Sequence, residues 1–242
     1  LLHIAICVSL WGASMASCAQ NLVVDLTPSE DQLLRARIDQ YQEEYGIPVV
    51  TFNADLEDTK RLCFVGQDTF QAGRTAAGLM GEMTGGTGQV AIISGQVANP
   101  GLISRQKGFS TEIKESFPGT EIVDIRYSYD DEWVASKIVE ELLELYPELT
   151  GIYITGHGVK GVCQTLQKIG KDKTMHVIAN DFLEENLKWL KEGTINFLIG
   201  QDAAVQGHSP VTILFQLLFD SKAPEKEYQY TDIVIRTKYN MG

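Results

Sequence analysis

Three glycines, Gly156, Gly158 and Gly161, spell G-x-G-x-x-G directly after an apolar, β-rich run and at the opening of a stretch with helical spacing. In that setting bare backbone lets a pyrophosphate approach the amino end of a helix, and an acidic residue ending the next strand accepts the ribose hydroxyls. Asp181 stands at that place, at the end of VIAND. Dinucleotide binding is therefore one chemistry open to the chain. The motif has no companions: the sequence holds no GxSxG elbow, no HExxH and no Cys and His at suggestive spacing, so neither catalysis nor a bound cofactor is expected. Gly85, Gly86 and Gly88 are followed by Gln89 rather than by Lys-Ser or Lys-Thr, which makes them a turn and not a phosphate loop.

The elements that must position these residues follow from periodicity. Residues 151–155 are apolar and β-rich, Val159, Val162, Leu166 and Ile169 recur at helical spacing, and Gly170 stops the run before a second apolar strand. Two strands joined by one helix lie parallel with a right-handed crossover, and ligands of such sheets sit beyond the carboxyl ends of the strands. Thr155, Gly156 and His157 mark the first end, Asn180 and Asp181 the second. Outward from this unit, strands are predicted near 3–10, 22–26, 49–53, 62–65, 90–94, 122–125, 195–199 and 233–236. Helices are predicted near 27–45, after Asp68, and near 101–117, 131–146, 183–191 and 203–219. Such alternation predicts α/β architecture with parallel sheets covered on both faces.

Composition narrows the partners. The 242 residues carry a net charge of -12 with a pI near 4.8 and no cluster of Lys and Arg, which argues against a nucleic-acid surface built on phosphate contacts. Cys7, Cys18, Cys63 and Cys163 are scattered without CxxC spacing, so neither a zinc site nor a disulfide framework is expected, and buried free thiols favour a reducing compartment. Residues 1–20 lack the basic start of an export signal, and His3 to Leu10 reads as a buried strand. Nothing is apolar for long enough to cross a membrane.

Several pieces in order resemble the effector-binding domain of the lac and galactose (LacI/GalR) repressor family and the periplasmic sugar-binding proteins that share its type I fold. They are GIPVVTFNADL at 46–56, FVGQDTFQAGRTAAGLM at 64–80, QVAIISGQVANPGLISRQKGF at 89–109, VIANDFLEENLKWLKEGTINFLIGQDAAVQG at 177–207 and the closing DIVIRTKYN. The resemblance implies two doubly wound parallel-sheet lobes with a ligand cleft between them. One lobe would hold residues 1–86 and 203–222, incomplete near 11–21, and the other 87–202 and 223–242. It also implies a set of ligand contacts. Asn53 ends the PVVTFN strand, Arg105 matches the arginine of an R-x-x-G-aromatic signature, Asp181 is the strand-end aspartate, and Gln201 is a polar residue at a crossover. Thr155, His157 and Asn99 join them, with Trp11 as an aromatic contact of the first lobe. Each has a plainer reading: Asn53 as a turn residue, Arg105 as a solvated or ion-paired helix arginine, Asp181 as the cap of the helix near Leu183, and Gln201 as a surface glutamine. Where the family has Asn-Asp after the central strand, this chain has Gly156 and His157, and that difference creates the G-x-G-x-x-G.

The resemblance implies a cytoplasmic, non-catalytic effector domain of a LacI-type transcriptional regulator. It would be a homodimer that meets DNA only through an amino-terminal domain not present in this chain, with a small sugar or polyol as ligand, no cofactor, no metal and no membrane. The alternative is the sugar-binding receptor of an ABC transporter, periplasmic or lipid-anchored outside the cell.

Overall fold

The computed structural model describes residues 6–9 and 28–241. In chain order the elements are β1 (Ile6–Ser9), α1 (Pro28–Glu43), β2 (Val49–Phe52), β3 (Cys63–Gln67), α2 (Thr69–Thr84), β4 (Thr87–Ser94), α3 (Pro100–Ser116) and β5 (Gly119–Tyr127). There follow α4 (Glu132–Leu145), β6 (Leu149–Ile154), α5 (Val159–Lys168), β7 (His176–Asn180), α6 (Glu184–Glu192), β8 (Phe197–Gly200), α7 (Ala203–Asp220), β9 (Tyr228–Thr231) and β10 (Val234–Arg236). The strand expected at 22–26 and the candidate Trp11 lie outside the described residues.

The chain divides into two compact units, residues 1–67 with 202–232, and residues 68–201 with 233–242. This moves two segments from where the sequence put them. α2 belongs with the second unit, because Ala72, Ala76, Ala77 and Met80 on its small-residue face pack with Val90, Ile92, Phe109 and Tyr153. β9, which periodicity missed although YQYT alternates aromatic and polar residues, pairs in parallel with β3 and belongs with the first.

The first unit is built on a sheet of order β1-β2-β3-β9, parallel throughout. Val50, Cys63 and Val65 pack with Leu214 of α7 on one side. Val49 and Leu56 pack with Ile38 of α1. Both faces of β2 are therefore buried, and that is why adjacent Val49 and Val50 are both apolar instead of alternating with polar residues. A buried guanidinium ties the sheet's edge: Arg61 donates from Nε and Nη2 to the two carboxylate oxygens of Asp55, each at 2.5 Å, and from Nη1 to Glu227 at 3.0 Å.

The second unit carries the order β10-β8-β7-β6-β4-β5. All its pairs are parallel, as expected, except β10 with β8, which adds one antiparallel strand at this edge. Strand alternation feeds two cores. Ala91, Ile93, Ile152, Ile154, Val177, Ala179 and Leu198 face one helical layer with residues of α4, α5 and α6. Val90, Ile92, Tyr153, Ile178 and Ile199 face the layer of α2 and α3.

Close helix crossings fix these layers. A Cβ on Gly73 of α2 would lie 2.1 Å from the carbonyl oxygen of Arg105, and one on Gly108 of α3 would lie 2.0 Å from that of Phe70. Only glycine fits at either position, so the two backbones meet reciprocally.

Candidate functional site

Asn53 and Asp181 have one local structure in two different units. Each follows a parallel strand, β2 and β7 respectively, and each has φ of 68° in the left-handed region. Each also donates its backbone N–H to a neighbouring strand, Asn53 to Val65 O at 3.0 Å and Asp181 to Ile199 O at 2.9 Å. Asn and Asp tolerate this conformation better than other residues with a Cβ, which gives a backbone reason for both types at these strand ends. The strand ladder stops there and the side chain turns off it.

In the second unit the Asp181 loop is held by three side-chain hydrogen bonds from two residues. Asn186, buried in α6, donates Nδ2 to both Asn180 O and Asp181 O at 3.1 Å. Gln201, after β8, donates Nε2 to Asp181 Oδ1 at 3.2 Å. α6 is capped at Leu183 with no side-chain hydrogen bond, so the reading of Asp181 as its cap does not hold. The half-buried carboxylate is set by Gln201 instead, which is thereby more than a surface glutamine.

Arg105 is buried in α3, at 5% exposure, and donates Nη1 to Thr155 O at 2.9 Å. It is not a solvated helix arginine. Its carbonyl partner belongs to a residue with no exposed surface, and the Thr155 hydroxyl donates to Ser94 Oγ at 2.9 Å. Thr155 therefore positions Arg105 and the end of β4 rather than offering its own hydroxyl outward. Beneath them Tyr153 stacks on Phe109 at 4.8 Å and its phenol oxygen accepts from Asn180 Nδ2 at 3.1 Å. Burial pushes the Tyr153 phenol pKa up, against the opposing pull of Arg105 and Asn180, so it stays a neutral hydroxyl. The second Asn180 Nδ2 bond runs to Ile154 O at 2.9 Å.

Three further candidates are placed less tellingly. Asn99 caps α3, accepting from Leu102 N at 3.1 Å, with Pro100 opening the helix. That engages its carboxamide oxygen and leaves it out of the Arg105–Thr155–Ser94 chain of contacts. His157 is half-buried in the turn after β6, where its carbonyl accepts from Ser128 Oγ at 3.4 Å. Trp11 lies outside the described residues.

The G-x-G-x-x-G has an internal use. Gly158 takes φ of 98° as the cap of α5 and offers no capping side chain. Glu132 of α4 supplies one: its Oε2 accepts from Gly161 N at 2.5 Å. A Cβ on Gly161 would fall 1.9 Å from Glu132 O, so this glycine permits the crossing of α4 and α5. A carboxylate already occupies the place that a pyrophosphate would need at this helix start. Among the described residues no group of three or more His, Cys, Asp or Glu could hold a metal ion, and no helix is long and apolar enough to cross a membrane.

A family model described as a periplasmic binding protein domain matches residues 23–222, and the chain belongs to that family. A curated relative, the xylitol-binding protein of Mycolicibacterium smegmatis, is 26% identical over 151 residues, covering 61% of this chain and 42% of that protein. The chain thus spans about two fifths of the length of the curated relative it matches. The crystal structure of an ABC transporter solute binding protein from Burkholderia graminis C4D1M, in complex with D-arabinose, is 30% identical with a TM-score of 0.78, covering 88% of this chain and 73% of that one. A putative LacI transcriptional regulator from Bacteroides fragilis has a TM-score of 0.75 at 24% identity, covering 89% and 74%, which is a likeness of fold.

Proposed function

We propose that this chain is the sugar- or polyol-binding part of an ABC-transporter receptor, without catalytic activity. The observation that carries the reading is the half-buried Asp181 carboxylate, held at the end of β7 by Gln201 and Asn186. A carboxylate accepts from two vicinal hydroxyls, the pattern a small polyhydroxylated ligand offers. Arg105 and Gln201 complete the set in the second unit, and Asn53 is the corresponding strand-end group of the first. The relative at 30% identity is a transporter solute binding protein, which favours this reading over a regulator.

The sequence pieces that pointed to a repressor, AGRTAAG and R-x-x-G-aromatic, contain Gly73 and Gly108. Both glycines serve the α2–α3 crossing, so these pieces report the shared fold rather than DNA-linked regulation. A receptor reading carries with it an extracytoplasmic location. The thiols of Cys63 and Cys163 are buried and free, and burial raises the Cys163 pKa further, so an oxidising environment would leave Cys163 a protonated, unreactive thiol.

The test is calorimetric titration of the full-length protein with pentoses, pentitols, hexoses, sugar phosphates and NAD, on wild type and Asp181→Ala. A neutral pentose or pentitol should bind, and Asp181→Ala should weaken it at least tenfold. Binding of NAD alone, or a dimer that binds DNA in sedimentation, would sink the proposal.

A further inference from the structure

The loop between β5 and α4 holds two consecutive residues with a Cβ in the left-handed region, Tyr129 at φ 54° and Asp130 at φ 59°. Asp tolerates this conformation and Tyr does not favour it. Backbone held in this way persists where the surroundings or a function demand it. The acidic run that follows does not explain the loop. Asp131 caps α4 by accepting from Val134 N at 2.9 Å, and Glu132 serves Gly161, so both have internal work.

Asp130 has only half a partner set. Its Oδ2 accepts from Gln96 Nε2 at 2.9 Å. Its Oδ1 is buried and has no hydrogen-bond partner. That oxygen is pressed against Gly95, where a Cβ would lie 2.1 Å from it. Gly95 follows Ser94, which receives the Thr155 hydroxyl, and Thr155 O receives Arg105. Asp130 thus stands at one end of the same line of contacts that positions Arg105.

A second acceptor at this edge is in the same condition. Asn180, 1% exposed at the end of β7, donates both ways from Nδ2, yet its Oδ1 is buried without a donor. Buried polar atoms lacking a partner are few in folded proteins and mark places where something else supplies the bond. Two acceptors short of donors along one row of strand ends call for a ligand rich in donors and not anionic.

We propose that Asp130 is a further ligand-contact residue, whose carboxylate turns away from Gly95 to accept a hydrogen bond from a hydroxyl of a neutral polyhydroxylated ligand. This rests on the sugar-binding reading above. The carboxylate is charged, so it also selects: a phosphorylated or uronic-acid analogue of the same sugar is repelled by Asp130 and Asp181 together.

The experiment compares wild type, Asp130→Asn and Asp181→Ala, using the pentose or pentitol that binds wild type and the matching sugar phosphate. Asn keeps the tolerance for positive φ and one acceptor oxygen for Gln96. The expected result is a split: the unliganded melting temperature of Asp130→Asn equals or exceeds that of wild type, because the buried Oδ1 without a donor is gone while the bond to Gln96 is kept, and affinity for the neutral ligand falls tenfold or more. The ratio of neutral to phosphorylated ligand affinity should shrink as well. Affinity within twofold of wild type overturns the proposal. So does a lowered melting temperature with affinity intact, which would make Asp130 a structural residue. If Asp181→Ala weakens binding and Asp130→Asn does not, only the Asp130 assignment fails; if neither weakens it, the receptor site itself is misplaced.

Discussion

At the scale of single residues, Asp181 does two jobs that substitutions can separate. Its φ of 68° asks for a residue at ease in the left-handed region, and its carboxylate is the acceptor proposed for the ligand. Asp181→Asn should leave the melting temperature of the unliganded protein within a degree or two and still lose ligand affinity. Asp181→Ala should lose affinity and also about 1 kcal/mol of stability, since alanine is strained at this φ. Urea denaturation beside calorimetry checks both. Equal affinity losses with a stability difference of that size would bear out the division of roles. Thr155 shows the opposite case. A polar residue at a strand end looked like a ligand contact, but its hydroxyl turns inward to Ser94 and supports Arg105 through its carbonyl.

Among the elements, the helix crossings decide most. α2 and α3 approach until backbone meets backbone at Gly73 and Gly108, and α4 and α5 do the same at Gly161. Alanine at Gly73 or Gly108 would drive a methyl into a carbonyl oxygen that cannot yield without moving its helix. Each change should cost about 1 to 3 kcal/mol, as overpacking does, read as a lower urea midpoint with the slope unchanged. Ligand affinity should fall as well, because Arg105 lies on the face of α3 that would shift. Gly158 as the cap of α5 and Gly161 at the second crossing account for two of the three glycines of the dinucleotide-like motif. Its spacing was visible in the chain, but the Glu132 side chain that fills its helix start comes from another helix 29 residues earlier.

For the whole molecule, the net charge of -12 keeps polyanions away and is indifferent to a neutral sugar. A ligand that binds only the folded chain adds stability by mass action. At 100 times its dissociation constant, it should contribute about 2.7 kcal/mol, a rise of roughly 5 to 10 °C for a chain of this size. Calorimetric scans with the pentose or pentitol identified by titration check this. No rise at saturation would contradict binding to the native state.

Periodicity and turn chemistry determined the α/β class and most elements, because each strand and helix announces itself by local apolar spacing and by caps such as Asp68 and Asp131. They also placed Asp181 and Asn53 at strand ends, where a left-handed turn leaves a residue-type signature. What they missed needed contacts between segments distant in the chain. The antiparallel pairing of β10, the membership of α2 and β9 in their units, the capping of α5 by Glu132 and the unpartnered Asp130 oxygen beside Gly95 are all of this kind. None has a local pattern, because each is decided by which surfaces close together once the sheets have formed, and only the tertiary structure carries that.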